Sequence, residues 1–186
     1  SLCKLLAVAK ANPGKLNLGT INSGSTQNLA AELFQTTSGV DMQLVPFNGT
    51  PAVITALRGG QIDAAVEILG PVLPQINAKA LRALAVTGEK RAAVLPDVPT
   101  AKESGLPTFV ASSWNALAAP AKTPKDVIAR LNKEIAAALS SPDVKKKLHD
   151  LNVEAYASTP EQASELLSSE IKRWGAVIVR AKIPQQ

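Results

Sequence analysis

The sequence contains one cysteine, Cys3, and one histidine, His149. A lone cysteine cannot close an internal disulfide, and a lone histidine cannot by itself build a metal site or a catalytic triad, which excludes much of ordinary enzymology. Aromatic residues make up only 3% of the chain, leaving no stacking platform for single-stranded nucleic acid. The net charge of +5, from 20 lysines and arginines against 15 acids, is spread along the chain apart from one run, Lys145-Lys146-Lys147. Without a concentrated basic arm, nucleic acid is not an expected partner, whereas a mildly basic surface favours anionic solutes. The lysine run reads as the solvated side of a helix. No apolar run reaches the roughly 18 to 20 residues that a membrane helix needs.

What is present is apolar material: 46% of 186 residues, enough for one sizeable core or two small lobes. Leu2, Leu5, Leu6 and Ala9 recur at helical spacing, with Ser1 as a candidate cap and Asn12-Pro13-Gly14 as the stop. Leu16 and Leu18 alternate as in a strand, a Gly/Ser/Asn/Thr cluster follows from Gly19 to Thr26, and Leu29, Ala30, Leu33 and Phe34 mark a helix. The unit then repeats. Met42 to Pro46 reads as a strand, Pro51 to Arg58 as a helix with Val53, Ile54 and Leu57 inward, and Ile62 to Leu69 as a buried strand. Pro71 to Ile76 reads as a short helix and Leu81 to Thr87 as a fourth strand. Alternation of this kind predicts an α/β layer with a largely parallel sheet.

Gly88 to Thr108 loses periodicity and reads as a loop-rich crossover with a short helix near Thr100 to Ser104. Val110 to Ala118 reads as a strand, and Thr123-Pro124 as the start of a helix whose face is Val127, Ile128, Leu131, Ile135 and Leu139. Another helix starts at Ser141-Pro142, Val153 to Ala157 reads as a short strand, and Thr159 to Gln162 has the spacing of a capping box. The terminal helix that follows is expected to bury Leu166, Leu167, Ile171, Trp174 and Ile178. Trp114 and Trp174 read as core or lobe-junction packing, and Cys3 as a buried or incidental thiol.

The most informative loop is Gly19-Thr20-Ile21-Asn22-Ser23-Gly24-Ser25-Thr26, which passes from a strand into a helix with the spacing of a phosphate-binding loop. A P-loop needs lysine where this chain has Ser25, so nucleotide hydrolysis is disfavoured. What remains is a set of backbone N–H groups, the hydroxyls of Thr20, Ser25 and Thr26, and about half a positive charge at the helix start, which suits a carboxylate. The competing reading is that Ser25 or Thr26 merely caps its own helix. The turn Pro46-Phe47-Asn48-Gly49-Thr50-Pro51 meets the same sheet edge if the strands are parallel, and so does Glu67 to Pro71. Asn48 and Thr50 are candidate donors or simply turn residues, and Glu67 accepts from an amine or hydroxyl or turns to solvent. Ser1 to Lys4 matches a loose Ser-x-x-Lys pattern with no second motif, and no catalytic residue, metal ligand or cofactor is assigned.

The order of local motifs resembles one family along essentially the whole chain. Asn12-Pro13-Gly14-Lys15-Leu16-Asn17, Gly24-Ser25-Thr26-Gln27, Glu32-Leu33-Phe34, Val45-Pro46-Phe47, Gly60-Gln61-Ile62-Asp63 and Leu73-Pro74 carry it first. Leu81 to Thr87, Leu95 to Thr100, Ser104-Gly105-Leu106-Pro107, Ser113-Trp114, Ala119-Pro120-Ala121, Leu131-Asn132, Thr159-Pro160 and Arg173-Trp174 continue it. This is similar to the solute receptors of tripartite tricarboxylate transporters, the TctC or Bug type. The resemblance implies an α/β fold like that of type II periplasmic binding proteins, which closes on a small organic acid and passes it to membrane permease subunits without catalysis. It also implies a periplasmic location.

Family members carry a secretion signal and a long leading segment that builds most of one lobe. The resemblance therefore implies that this chain begins at the second lobe, with residues 1–110 as one complete ligand-binding lobe and 111–186 as an incomplete part of the first. It places Thr20, Asn22, Ser25, Thr26, Asn48, Thr50 and Glu67 on loops facing the cleft. Three positions depart from the usual pattern: Asn48 stands where lysine is common, Glu67 where aspartate is common, and Ile68 where asparagine often follows. These departures point away from the usual small dicarboxylate and are compatible with a ligand with an amine, or with a larger or less charged acid. An incomplete lobe leaves sheet edges and apolar surface uncovered, which predicts a homodimer or domain-swapped assembly. The alternative function is accordingly an interaction or assembly module that no longer binds solute.

Overall fold

The computed structural model describes residues 1–183; residues 184–186, the end of the expected incomplete first lobe, lie outside them. Among the described residues the elements are α1 (Leu2–Ala11), β1 (Asn17–Ile21), α2 (Thr26–Ser38), β2 (Gln43–Phe47), α3 (Thr50–Arg58), β3 (Ala64–Ala65) and α4 (Leu69–Asn77). Three further helices follow: α5 (Lys125–Ser140), α6 (Pro142–Asp150) and α7 (Pro160–Arg180). The chain divides into two compact units, one of Ser1–Ser113 with the residues from Ala176 onward, the other Trp114–Gly175.

The first unit is built on a parallel sheet of order β2-β1-β3. Leu18 and Thr20 lie buried in central β1, while β2 is an edge strand, which tolerates Pro46 because proline brings no N–H to a ladder. Beneath the sheet Val53, Ala56 and Ile62 are buried together, with Ile21, Val45, Phe47, Leu57 and Ala65 packed around them. At Gly19 in β1, an added Cβ would run into Ile62 Cδ1 and meet Val53 Cγ1, so the missing side chain is what lets these residues pack this closely. Helix α2 buries Leu29, Ala30, Ala31 and Phe34, and the Phe34 ring lies 5.5 Å from that of Phe109. It ends at Gly39, whose φ of 65° is the left-handed conformation that closes a helix without a Cβ penalty.

Several expectations are corrected. The sheet has three strands, because Leu81 to Thr87 forms only the isolated bridge Val86–Thr100 and the Ile62 to Leu69 run pairs over Ala64–Ala65 alone. Val110 to Ala118 and Val153 to Ala157 are not strands either. Apolar runs of this length report burial or β-propensity, whereas a strand also needs a neighbouring backbone; past the Ala111 N–H to Thr87 carbonyl bond, the segment from 112 to 120 is exposed. Ser1 occupies the N-cap of α1 but makes no side-chain cap bond, and the cap position of α5 falls on Pro124 rather than Thr123. Cys3 is exposed, with Sγ 3.5 Å from the Ser104 carbonyl. Around Thr100 to Ser104 the chain forms turns, not a helix.

In the second unit, Asn132 Nδ2 donates to the Ser158 carbonyl at 2.8 Å, tying α5 to the segment before α7. The capping box at the start of α7 is complete: the Thr159 N–H donates to Gln162 Oε1 and the Gln162 N–H to Thr159 Oγ1. The lysine run pairs along α6 through Lys146–Asp150 and Lys147–Asp143, all exposed. The expected burial fails here: no residue between Trp114 and Gly175 is buried, with Leu131 47% and Ile171 65% exposed. Trp114 is likewise exposed, and Trp174 stays on its own helix, where its indole donates to Glu170 and lies under the Arg173 guanidinium.

Candidate functional site

Parallel strands bring their C-terminal ends, and with them the starts of α2, α3 and α4, to one edge of the sheet. At the first of these turns Ser25 is the N-cap of α2: its Oγ accepts from the Asn28 N–H at 3.1 Å and donates to the Ile21 carbonyl at 3.4 Å. Asn28 Oδ1 in turn accepts from the Gly24 N–H, so the pair satisfies donors that the helix start would otherwise leave open. Of the two readings of Ser25, capping is the one observed. Thr20 is fully buried in β1, its hydroxyl on the Ile21 carbonyl, whereas Asn22 and Thr26 are exposed on either side of the loop.

At the second turn Asn48 is exposed and Gly49 takes φ 92° and ψ 160°, a conformation open essentially to glycine alone. Helix α3 has no side-chain cap, because its N-cap residue is Gly49, and the hydroxyl of its first residue, Thr50, donates to Glu67. At the third, the Val66 N–H donates to the Gly19 carbonyl, which pins the exit of β3 to β1 and holds Glu67 just beyond it. Helix α4 starts at Leu69, and its N-cap residue, Ile68, again makes no side-chain cap bond.

Glu67 joins the three turns. Its Oε2 accepts from Thr50 Oγ1 at 2.9 Å and from Gln27 Nε2 at a long 3.5 Å, while Oε1 is shielded from solvent with no hydrogen-bond partner. The structure thus brings Thr50 and Glu67 into contact, sets Ser25 into its own loop, buries Thr20, and leaves Asn22, Thr26 and Asn48 on the surface of the same turns. Gln27, only 6% exposed, was not singled out from the sequence. The signal was there: Gln27, Ala30, Ala31, Phe34 and Ser38 fall on one helical face, and a glutamine heading an otherwise buried face needs a polar partner. Among the described residues, no cluster of three or more His, Cys, Asp or Glu is placed to hold a metal.

A parallel α/β sheet whose turns gather hydroxyls, helix starts and a shielded carboxylate at one edge has the layout of a lobe that receives a small polar solute. Residues 1–183 match the tripartite tricarboxylate transporter family receptor, and the chain belongs to that family. It is 35% identical over 183 residues to the UPF0065 protein in the tcbD-tcbE intergenic region of Pseudomonas sp., covering 98% of this chain and 54% of that protein. Protein BugT of Bordetella pertussis is 36% identical over 178 residues, covering 96% and 55%. Among solved structures, R. palustris Rpa4515 with adipate is 32% identical with a TM-score of 0.83, over 98% of this chain and 61% of that one. MatC from Rhodopseudomonas palustris with bound malate is 31% identical with a TM-score of 0.74, over 96% and 62%. The chain therefore spans about half the length of these sequence relatives.

Proposed function

We propose that this chain is the solute-capturing part of a periplasmic receptor, which takes up a small organic acid and presents it to the membrane permease subunits of a tripartite tricarboxylate-type transporter. The observation that carries the reading is the likeness, at 31–32% identity, to receptor structures described with adipate and with malate. Residues 1–110 act as the ligand-binding lobe and 111–186 as part of the other. The solute lies against the turns of Asn22, Ser25, Thr26, Asn48, Thr50 and Glu67, with Thr20 holding the first turn from beneath. Uncapped starts of α3 and α4 support this, since their backbone N–H groups favour an anionic or polar oxygen. The reading assigns no chemical step and no cofactor.

The test is a thermal-shift screen of the chain against mono-, di- and tricarboxylates, acidic amino acids and aromatic acids, confirmed by calorimetry. A saturable rise in melting temperature with one class of acid is expected. A cooperative melt that no acid shifts would overturn the reading.

The apolar side chains exposed along Trp114–Gly175 favour a second reading, an assembly module. Two copies covering these faces mutually would give a homodimer or a swapped assembly. Light scattering on the eluted protein distinguishes it, a monomer at all concentrations counting against it.

A further inference from the structure

We infer that Glu67 is a positioning residue of the solute site: it does not meet the solute, but through the Thr50 hydroxyl it holds in place the open backbone N–H at the start of α3. The inference rests on the receptor reading above and assigns a role within that same site. It begins with the hydrogen bonds of the α3 start. Pro51 has no N–H, the Ala52 and Val53 N–H groups both donate to the Gly49 carbonyl, and the Gly49 N–H donates to the Phe47 carbonyl. Among the described residues this leaves the Thr50 N–H as the backbone donor of that turn without a partner. An open N–H at a helix start favours an anionic oxygen.

The turn that carries this donor has little of its own to hold it. Its N-cap, Gly49, has no side chain to anchor and takes a φ of 92°, and Asn48 before it is exposed. Glycine gives up more conformational freedom on folding than any other residue, so a tether on the residue that follows has a purpose here. Glu67 supplies it: Oε2 accepts from Thr50 Oγ1 at 2.9 Å, and Glu67 itself follows Val66, whose N–H is bonded to the Gly19 carbonyl of β1. The same oxygen takes the Gln27 side chain of α2 at 3.5 Å, so the starts of α2 and α3 share one anchor. Glu67 works through Thr50 rather than by contact. Its Oε1 is shielded from solvent and out of a solute's reach, and its Oε2 is engaged by donors of this chain.

Calorimetry on the whole chain tests this with butyrate, succinate, tricarballylate, glutamate and benzoate, at a temperature well below the melting transition of each variant. Glu67→Ala cuts the tether and should weaken every acid that binds by about tenfold, the worth of one well-placed hydrogen bond to a charged group, without changing their ranking. Glu67→Gln keeps an acceptor for Thr50 and removes the charge, so it should bind at least as tightly as the wild type. Thr50→Val cuts the same tether from its other end; it should weaken binding to a similar degree, and adding Glu67→Ala to it should bring no further loss. If Glu67→Ala does not melt cooperatively, Thr50→Val and Glu67→Gln carry the test. Unchanged or tighter binding by Glu67→Ala or Thr50→Val would mean that the link serves stability alone. Weakening by Glu67→Gln would mean that the charge itself meets the solute, and a further loss in the double variant that Glu67 acts by another route. Each of these overturns the inference and leaves the receptor reading intact. If no acid binds here or in the broader screen, the receptor reading falls and this inference with it.

Discussion

Thr50 Oγ1 donates to Glu67 Oε2 at 2.9 Å, so one hydrogen bond ties the first residue of α3 to the exit of β3. Thr50→Val keeps the shape and removes the donor, leaving Oε2 with only its long contact to Gln27. A hydrogen bond to a charged group in partly buried surroundings is worth about 1.5–3 kcal/mol. Urea unfolding should show a loss of that order with an unchanged slope. An unchanged midpoint would mean that solvent replaces the hydroxyl without cost.

Gly19 lies where β1 meets Ile62 and Val53. Gly19→Ala puts a methyl group onto Ile62 Cδ1 in a core with Ile62 only 3% exposed. Overpacking of this kind costs about 1–3 kcal/mol. Adding Ile62→Val removes the clashing carbon, so the double variant should recover part of the loss, and a thermodynamic cycle measures the coupling. Strict additivity would contradict the close approach.

On the surface of the first unit, Arg91 grips Glu103 through Nε and one Nη at 3.0–3.2 Å, and the Thr100 N–H donates to the same carboxylate at 2.7 Å. Chiefly through the Arg91 hydrogen bonds, and then that of Thr100, the Glu103 carboxyl is lowered from 4.5 to about 2. A lowered acid contributes stability that is complete above the unfolded value near 4.5 and is lost as pH falls from there toward about 2. Carbon-detected NMR titration should find the Glu103 midpoint near the lower end of that window. Arg91→Ala should move it back toward 4.5, and an unmoved midpoint would shift the credit to Thr100.

No residue between Trp114 and Gly175 is buried, while the first unit encloses Leu18, Val53, Ile62 and Phe34. Helices whose apolar side chains stay in water gain little from tertiary packing. Hydrogen exchange followed by mass spectrometry should therefore show α5 and α6 exchanging far faster than β1 and α2. Equal protection in both units at low protein concentration would contradict this.

The fold was legible wherever the signal is local. All seven helices of the described residues were read within a few positions, because caps, prolines and 3.6-residue periodicity act within one or two turns: the Thr159–Gln162 box and the Ser141-Pro142 start need no distant partner. Strands were over-read for the converse reason. Leu81 to Thr87 has the composition of a strand but lacks a continuous neighbouring backbone, and Ile62 to Leu69 has one over Ala64–Ala65 alone.

Sequence alone determined the α/β class, the helices, the family and the turns that meet at the sheet edge, since all of these follow from periodicity, caps and ordered local motifs. Tertiary structure decided what those turns present. Glu67 meets Thr50 and Gln27, 17 and 40 positions away, leaving one carboxylate oxygen shielded and unpartnered. It decided equally that the stripe of α7, written as a buried face, stands in water at Leu166, Leu167 and Ile171. An amphipathic pattern specifies which face of a helix seeks cover; whether anything covers it depends on what the rest of the chain brings alongside.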